Sequence, residues 1–397
     1  MALTPLSEAL ERILATVEAK PDWEMVALEA APSRYCAETI DATLSVPPAD
    51  NSAMDGYAVA SRDVPGALTI SQRVPAGHAP VPLEAGTAAR IFTGAEIPAG
   101  ADAIILQEDA GAGEGQVTLP AAQPGQHIRR RGSDIQPGDE LVAAGHRLTP
   151  QDIGLLASVG LDAVPVFRPL SVAVLTTGDE LREPGSGDLD PGQIFNSNRF
   201  SLAAQVRALG MKVIDCGNLP DDPDQIGEAL ERAAAAADCI VTAGGVSVGE
   251  EDHVKSQIEQ RGALDLWKLA IKPGKPLAFG HVAGTPIFGL PGNPVSAFIT
   301  FALVAKPWLI KRQGGHPSPM QRFPVRAAFS ITRPGTREEF LRVRLTGSGE
   351  ALRASLTGSQ SSGVMTSLSE AGGLAVIAPG TTVAEGDWVE VMPLSAL

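Results

Sequence analysis

The sequence predicts a multidomain α/β plus β protein: a central doubly wound, mostly parallel α/β sheet domain, an inserted N-terminal β-rich domain, helical segments flanking that insertion, and a small C-terminal β barrel. Three observations carry this prediction. Residues 171–312 alternate short apolar runs with helical patterns, the signature of strand-helix-strand units. Within that stretch, glycine-rich turns and charges follow directly on apolar runs, where a ligand sits in an open α/β sheet. On either side, residues 25–145 and the chain after Arg322 break into short segments with closely spaced turn signals.

In chain order, residues 5–20 read as an amphipathic helix with Leu6, Leu10, Ile13, Leu14 and Val17 on one face. The turn signals VPAG (74–77), IPAGAD (97–102) and QPGDEL (136–141) divide residues 25–145 into β strands. GAGEG at 111–115 imitates part of a dinucleotide fingerprint, but acids surround it and no helix pattern follows, so a loop between strands is expected. Thr149-Pro150-Gln151-Asp152 starts a helix that should end at Gly160. Next come a strand from Ser171 to Thr176, a helix from Asn198 to Leu209, a strand from Met211 to Cys216, a helix from Pro223 to Ala236 and a buried strand at Cys239–Thr242. Asn293 is a good N-cap and Pro294 a good first helical residue, predicting a helix to about Leu309 whose N-terminus offers an oxyanion site. Phe340–Leu345, Leu374–Ile377 and Trp388–Met392 are expected strands of the C-terminal unit. Four units follow: 1–24 with 146–168, 25–145, 169–315 and 321–397.

A chain of 397 residues exceeds what one hydrophobic core usually organises, and its 44% hydrophobic content suffices for several. No run approaches the roughly 18 uninterrupted apolar residues of a membrane span, the best being broken by Lys306 and Pro307. Glu8, Glu11 and Arg12 interrupt the first apolar pattern, which is unlike a signal peptide, so a cytoplasmic location is expected. Cys36, Cys216 and Cys239 are widely separated and form no Cys-x-x-Cys, indicating neither a disulfide framework nor a zinc site. The net charge of −15, with no basic stripe and interleaved aromatics, argues against nucleic-acid binding. Local anion sites remain compatible with it. Screening acts over about 8 Å at physiological salt, whereas a unit charge pair about 4 Å apart near a surface is worth on the order of 4 kcal/mol before desolvation.

The chemistry concentrates between Asp238 and Ser296. The turn Ala243–Gly249 lets backbone N–H groups approach a ligand without Cβ interference, and Glu250, Glu251 and Asp252 follow at once. Carboxylates beside an anion-binding turn make sense if a hard cation such as Mg²⁺ joins the two. Lys268, Lys272 and Lys275 form a cationic cluster around a Pro-Gly turn, and Pro291-Gly292-Asn293-Pro294 adds a further turn. Each phrase alone is commonly a surface loop or a helix cap. Three at successive strand ends are harder to explain as structure alone.

The phrases TAGGVSVGEEDH, KLAIKPGKP and GLPGNPVS resemble the molybdopterin molybdenumtransferase (MoeA) family, which is similar to the gephyrin E domain. So do SAMDGYAV (52–59), IFTGAEIP (91–98), RRRGSDI (129–135) and TTGDEL (176–181), and the resemblance runs in order over the whole chain. It implies a transferase that inserts molybdate into adenylated molybdopterin, releases AMP and depends on Mg²⁺. It further implies Asp55, Asp134, Glu180, Asp221, Asp252 and Lys272 as catalytic candidates, with Glu180 and Asp252 the first choice as metal ligands. Thr93, Gly244, Gly245, Ser247, Gly249, Lys268, Lys275, Pro291, Gly292, Asn293, Pro294, Arg342 and Ser362 are its candidate substrate-binding residues. The two helical pieces are expected to form one dimerising unit, giving a homodimer, with transient contacts to a molybdopterin adenylyltransferase and to molybdoenzymes. Two competing classes stand beside this one. The adenylating sister enzyme shares Gly-Gly and Pro-Gly phrases, but SAMDGYAV and KPGKP favour the transferase; a non-catalytic pterin carrier is disfavoured by the retained acidic and basic residues.

Overall fold

The computed structural model describes residues 3–18, 20–246 and 253–396. Its centre is a six-stranded sheet in the order Lys212–Leu219, Ser171–Thr177, Cys239–Ala243, Thr285–Leu290, Pro276–Val282, Gly262–Lys268. The first four strands are parallel and the last two antiparallel. The alternation of side chains along a strand makes it two-faced. Val172 and Val174 point to a core with Leu202 and Val206 of the helix Asn198–Ala208, and with the helix starting at Pro294. Ala173 and Leu175 point to the other, with Ile226 and Leu230 of the helix Pro223–Ala236 and Ile258 of the helix His253–Arg261.

Chain order makes this arrangement a ligand site in waiting. From the strand Ser171–Thr177 the chain runs through one helix outward to Lys212–Leu219, then crosses back through the other face to Cys239–Ala243 on the opposite side. The switch in direction lies between Ser171–Thr177 and Cys239–Ala243, and open α/β sheets form their crevice at the carboxyl ends of such a pair.

The local signals explain the element boundaries. Thr149 caps the helix Pro150–Ser158 in a reciprocal capping box with Asp152, and Asp222 accepts from the Gln225 N–H ahead of Pro223. The helix from Pro294 runs to Arg312, farther than its expected end near Leu309, through a π-helical turn at Phe301–Ala305. By length and mean composition it is long and apolar enough to cross a membrane, although Lys306 and Pro307 interrupt its apolar run. Its Val295, Ile299, Phe301 and Trp308 are instead buried in the central core, where Trp308 meets Phe279 and Phe288 edge-on.

The N-terminal helix Leu6–Ala15 lies on this same helix: Ala9 and Ile13 enter the central core, Trp308 Nε1 donates to Thr16 Oγ1 (3.1 Å) and Lys311 Nζ to the Leu14 carbonyl (2.9 Å). The helix Pro150–Ser158 belongs to a separate core, where Leu156 packs with Leu28, Val164 and Val166. Within one chain the two helical pieces therefore have different cores, because the apolar stripe of the first is covered by the central domain. Trp23–Ala27 pairs antiparallel with Ala163–Phe167 and closes the base of the insertion.

The insertion is a six-stranded mixed sheet in the order Ala103–Leu106, Gly56–Val59, Thr87–Ile91, Gly66–Val74, Gln116–Leu119, Gly111–Ala112, so residues 113–115 are a turn between strands. In the C-terminal region five strands close a barrel: Glu338–Thr346, Arg353–Leu356, Phe323–Ala327, Trp388–Pro393 and Gly373–Ile377, the last pairing back to the first. The short strand Ile271–Lys272 pairs parallel with Glu338–Glu339 and ties the barrel to the central domain.

Candidate functional site

At the switch point two turns face each other. After Ser171–Thr177 comes Gly178-Asp179-Glu180, and after Cys239–Ala243 comes Gly244-Gly245. Gly244 sits at φ +97°, and a Cβ there would stand 2.8 Å from the Thr177 carbonyl oxygen, so only glycine allows these backbones to meet. Gly292, in the turn after Thr285–Leu290, approaches Gly244 directly. Candidate residues from three adjacent parallel strands thus converge, and Asp221 follows the fourth.

Asp179 and Asp221 clasp each other across the strand ends: the Asp221 N–H donates to Asp179 Oδ1 (3.1 Å) and the Asp179 N–H to Asp221 Oδ2 (3.3 Å). Each carboxylate keeps one oxygen outside this exchange. Glu180 is exposed and its carboxylate lies over Gly178, where a β carbon would collide with it. Behind the loop, Asn196, fully buried, donates to Thr176 Oγ1 (2.8 Å) and to Glu183 (3.0 Å), while Asn218 donates to the Gly178 carbonyl (3.2 Å). Arg199 binds Glu183 and both oxygens of Asp215.

Asn198 was missed by the sequence reading. Its amide donates to the Gly292 carbonyl (2.6 Å) and fixes the Pro291–Asn293 turn, while Asn198 Oδ1 and Thr177 Oγ1 are buried without a partner. Buried polar atoms left unpaired are uncommon and call for a water, an ion or a ligand. The phrase FNSN before a helix was the available signal: asparagines at a strand-to-helix junction bond backbone turns.

Asn293 occupies the N-cap position with an extended backbone but makes no side-chain capping bond. The expected oxyanion site at this helix N-terminus is also reduced. Pro294 has no N–H, and the Val295 N–H donates to the Ser362 carbonyl (3.0 Å). That bond brings the barrel loop holding Ser362 onto the crevice. Arg342, 1% exposed, shapes the loop from behind: Nη2 donates to the carbonyls of Ser361 (2.9 Å) and Ser359 (3.3 Å), and Nε to Ser367 Oγ (3.2 Å). Its guanidinium faces protein, and burial pushes its pKa down.

The lysines are arranged in two ways. Lys268 ends an edge strand opposite Pro276, and Lys275 is exposed. Lys272 reaches Glu339 of the barrel (3.2 Å) with half its side chain in solvent. Gly274 between them presses on Thr300 of the long helix, which holds the loop against the crevice.

Asp55 and Thr93 lie in the insertion. Asp55 Oδ1 accepts from both the Thr93 N–H (2.8 Å) and Thr93 Oγ1 (2.7 Å), and these bonds hold its pKa below the usual carboxylate range. Asp134 is exposed, its N–H on the Val46 carbonyl. Among the described residues, no hydrogen bond or ion pair joins Asp55, Thr93 or Asp134 to the strand-end turns. Ser247, Gly249 and Asp252 lie outside the described residues.

A doubly wound sheet with a glycine-lined crevice at its switch point, acids after the strands on one side and a lysine loop after the edge strand on the other, has the architecture of an open α/β ligand-binding protein. The family models of the MoeA N-terminal region (domains I and II), the molybdopterin-binding domain and the MoeA C-terminal region (domain IV) match residues 4–160, 173–311 and 324–394. The molybdopterin molybdenumtransferase of Haemophilus influenzae is 44% identical over 78% of this chain and 78% of its own. That of Synechococcus elongatus is 36% identical over 98% and 99%. The crystal structure of a molybdopterin biosynthesis MoeA protein from Pyrococcus horikosii superposes with a TM-score of 0.81 at 34% identity, covering 99% of each chain. The chain belongs to the MoeA family of molybdopterin molybdenumtransferases.

Proposed function

We propose that this chain carries out the molybdenum-insertion step of molybdenum cofactor biosynthesis, transferring molybdate to adenylated molybdopterin with release of AMP. The observation that carries the reading is the convergence of the turns at Gly178–Glu180, Gly244–Gly245 and Gly292, with the barrel loop of Ser362 docked beside them.

The reaction brings a pyrophosphate and the molybdate dianion together, so charge is its main difficulty. Backbone N–H groups at the Gly244–Gly245 turn approach a phosphate without steric obstruction. Lys272, held by Glu339 at the crevice edge, supplies a cation without enclosing the molybdate, which has to move on to sulfur. Arg342 acts by shaping the Ser362 loop, and Asn198 by fixing the Gly292 carbonyl.

Mg²⁺ fits the donors present. The side chains are hard carboxylates, and Asp179 and Asp221 each keep an oxygen outside their mutual clasp. Mg²⁺ binds through one or two carboxylates plus substrate phosphate and water. Glu180 is the described ligand of choice and Asp252 its expected partner. Bound there, Mg²⁺ would neutralise the pyrophosphate and polarise its phosphorus.

The homodimer, the cytoplasmic location and the contacts with an adenylyltransferase and with molybdoenzymes belong to the same proposal. A homodimer would let Asp55 and Asp134 face a crevice to which no described hydrogen bond or ion pair joins them within one chain.

The test is AMP release from adenylated molybdopterin, with and without molybdate and with and without Mg²⁺. Molybdate-dependent release, coupled to appearance of molybdenum cofactor and abolished by chelation, is expected. Adenylate that stays bound and intact would make the chain a carrier, and adenylate formed from ATP would make it the adenylating enzyme.

A further inference from the structure

The segment that offers Glu180 is held by a polar network to which the reaction assigns no part. Residues 178–196 leave the central sheet after the strand Ser171–Thr177 and return just ahead of the helix Asn198–Ala208. Within this flap Leu181–Arg182 pairs with Ile194–Phe195. The Glu180 carbonyl accepts from the Ile194 N–H (2.8 Å), and the Arg182 carbonyl from the Asn196 N–H (2.8 Å). The backbone of Glu180 therefore goes where the two short strands go.

Glu183, just beyond the first of those strands, is where the flap is gripped. Asn196 Nδ2 links it to Thr176 of the sheet, and Asn196 Oδ1 accepts from the Arg199 N–H (3.3 Å). Arg199 Nη1 binds Glu183, while Nε (2.6 Å) and Nη2 (2.8 Å) take both oxygens of Asp215 on the edge strand Lys212–Leu219. One planar guanidinium thus bridges flap and sheet, a geometry that the point charge of a lysine cannot reproduce.

Stability alone accounts poorly for the second carboxylate. The two bonds to Asp215 already answer the charge of Arg199, and adding Glu183 leaves one positive group between two negative ones, which repel each other. The arrangement makes sense if the task of Glu183 is to tie down the flap. A metal ligand has to be held to about 0.5 Å, and the groups that orient such ligands are typically worth 10–100-fold in metal affinity.

We propose that Glu183 and Arg199 are positioning residues for Mg²⁺: by pinning the flap to the edge strand they hold Glu180 where it takes the ion. The inference rests on the reading of Glu180 as a Mg²⁺ ligand and specifies how this chain presents it.

The experiment is a Mn²⁺ titration of the full chain saturated with adenylated molybdopterin, without molybdate, the free ion being followed by electron paramagnetic resonance as a stand-in for Mg²⁺. Glu180→Gln should weaken Mn²⁺ binding, which tests the underlying reading. Arg199→Lys keeps the charge but not the fork, and should weaken it about 10–100-fold, with adenylate binding in chelator unchanged. Glu183→Gln, at a partly exposed position, keeps an acceptor for Asn196 and should fall between wild type and Arg199→Lys. The double variant Glu180→Gln/Arg199→Lys should bind Mn²⁺ no more weakly than Glu180→Gln alone, because residues that act through one group do not add. Wild-type affinity in Arg199→Lys and Glu183→Gln, or losses that add in the double variant, would overturn the proposal and leave Glu180 as ligand. So would an Arg199→Lys or Glu183→Gln chain whose urea midpoint and adenylate affinity fall together with Mn²⁺ affinity, the mark of a purely structural role. Wild-type affinity in Glu180→Gln would remove the ligand itself, and with it both the reading and the proposal.

Discussion

The strand-end turns of the central domain and the Asp55–Thr93 clasp of the insertion hold their candidate residues in opposite ways. At the crevice, backbone packs on backbone: a β carbon on Gly244 would strike the Thr177 carbonyl, and Gly292 lies beside Gly244 at ordinary contact distance, so the Gly244 position is set sterically. In the insertion, Gly94 beside Thr93 has φ +82° but open space around it, and Asp55 is held by two hydrogen bonds from one residue. Steric contact fixes a site proposed to hold its ligand by backbone N–H groups. Hydrogen bonding fixes a carboxylate whose charge is what matters.

Matched glycine variants should break this comparison first if it is wrong. Gly244→Ala combines a left-handed backbone, costing about 1–2 kcal/mol, with overpacking of about 1–3 kcal/mol, so a loss near 3 kcal/mol in urea unfolding is expected, with molybdenum insertion abolished. Gly94→Ala should lose only the first part, and equal losses at the two positions would remove the distinction. Arg342→Met leaves the Ser359 and Ser361 carbonyls and Ser367 without their donor, and should cost about 2–3 kcal/mol at roughly 1 kcal/mol per bond. If Arg342 instead contacts molybdate directly, this variant will lose molybdate affinity at unchanged stability.

Lys272→Ala sharpens the comparison further. Its exposed pair with Glu339 is worth at most about 1 kcal/mol of stability, whereas removing a charge from the dianion's path should raise the molybdate concentration for half-maximal rate about tenfold, equivalent to 1.4 kcal/mol. Pterin binding, followed by calorimetry, should stay unchanged. Equal loss of pterin and molybdate binding would end that division of labour.

The smallest effect is expected at the clasp. Because Asp55 has a folded pKa below its unfolded value, its contribution is fully present above the ordinary carboxylate pKa and is lost as pH falls through the folded one. Thr93→Val removes the hydroxyl bond and keeps the backbone one, so a carboxyl ¹³C titration should show the Asp55 pKa raised but still below the ordinary value. A pKa unchanged by the substitution would assign the whole depression to the backbone N–H.

The legible parts of the fold were those fixed by local chemistry. Pro150–Ser158 and Pro223–Ala236 start where Thr149-Pro150 and Asp222-Pro223 predict, since caps act within one helical turn. The glycine-rich turns of the crevice were legible for the same reason. Barrel closure was less so: Glu339 opposite Ile377 and Val343 opposite Gly373 are pairings that no local pattern specifies. Arg342 was expected among the substrate-binding residues through the resemblance, and its burial was not legible because a β-strand arginine has no sequence mark of burial and its acceptors are loop carbonyls. The Asp179–Asp221 clasp escaped notice because it exists only once two strands 42 positions apart in sequence are adjacent. The capping bond expected of Asn293 is absent, and the Val295 N–H is used by Ser362 from another domain.

The π-helical turn at Phe301–Ala305 sets the phase of the long helix. Such a turn holds one residue more than the α-helical turn it replaces, so it shifts the register of all that follows by one residue. Everything beyond it is rotated by about 100° relative to an uninterrupted helix. Deleting one residue there, for example Leu303, would put Lys306–Arg312 in the phase of an uninterrupted α-helix and swing Trp308 out of its place beside Phe279 and Phe288. The helix that begins at the crevice can turn its far half into the central core only because that extra residue is there.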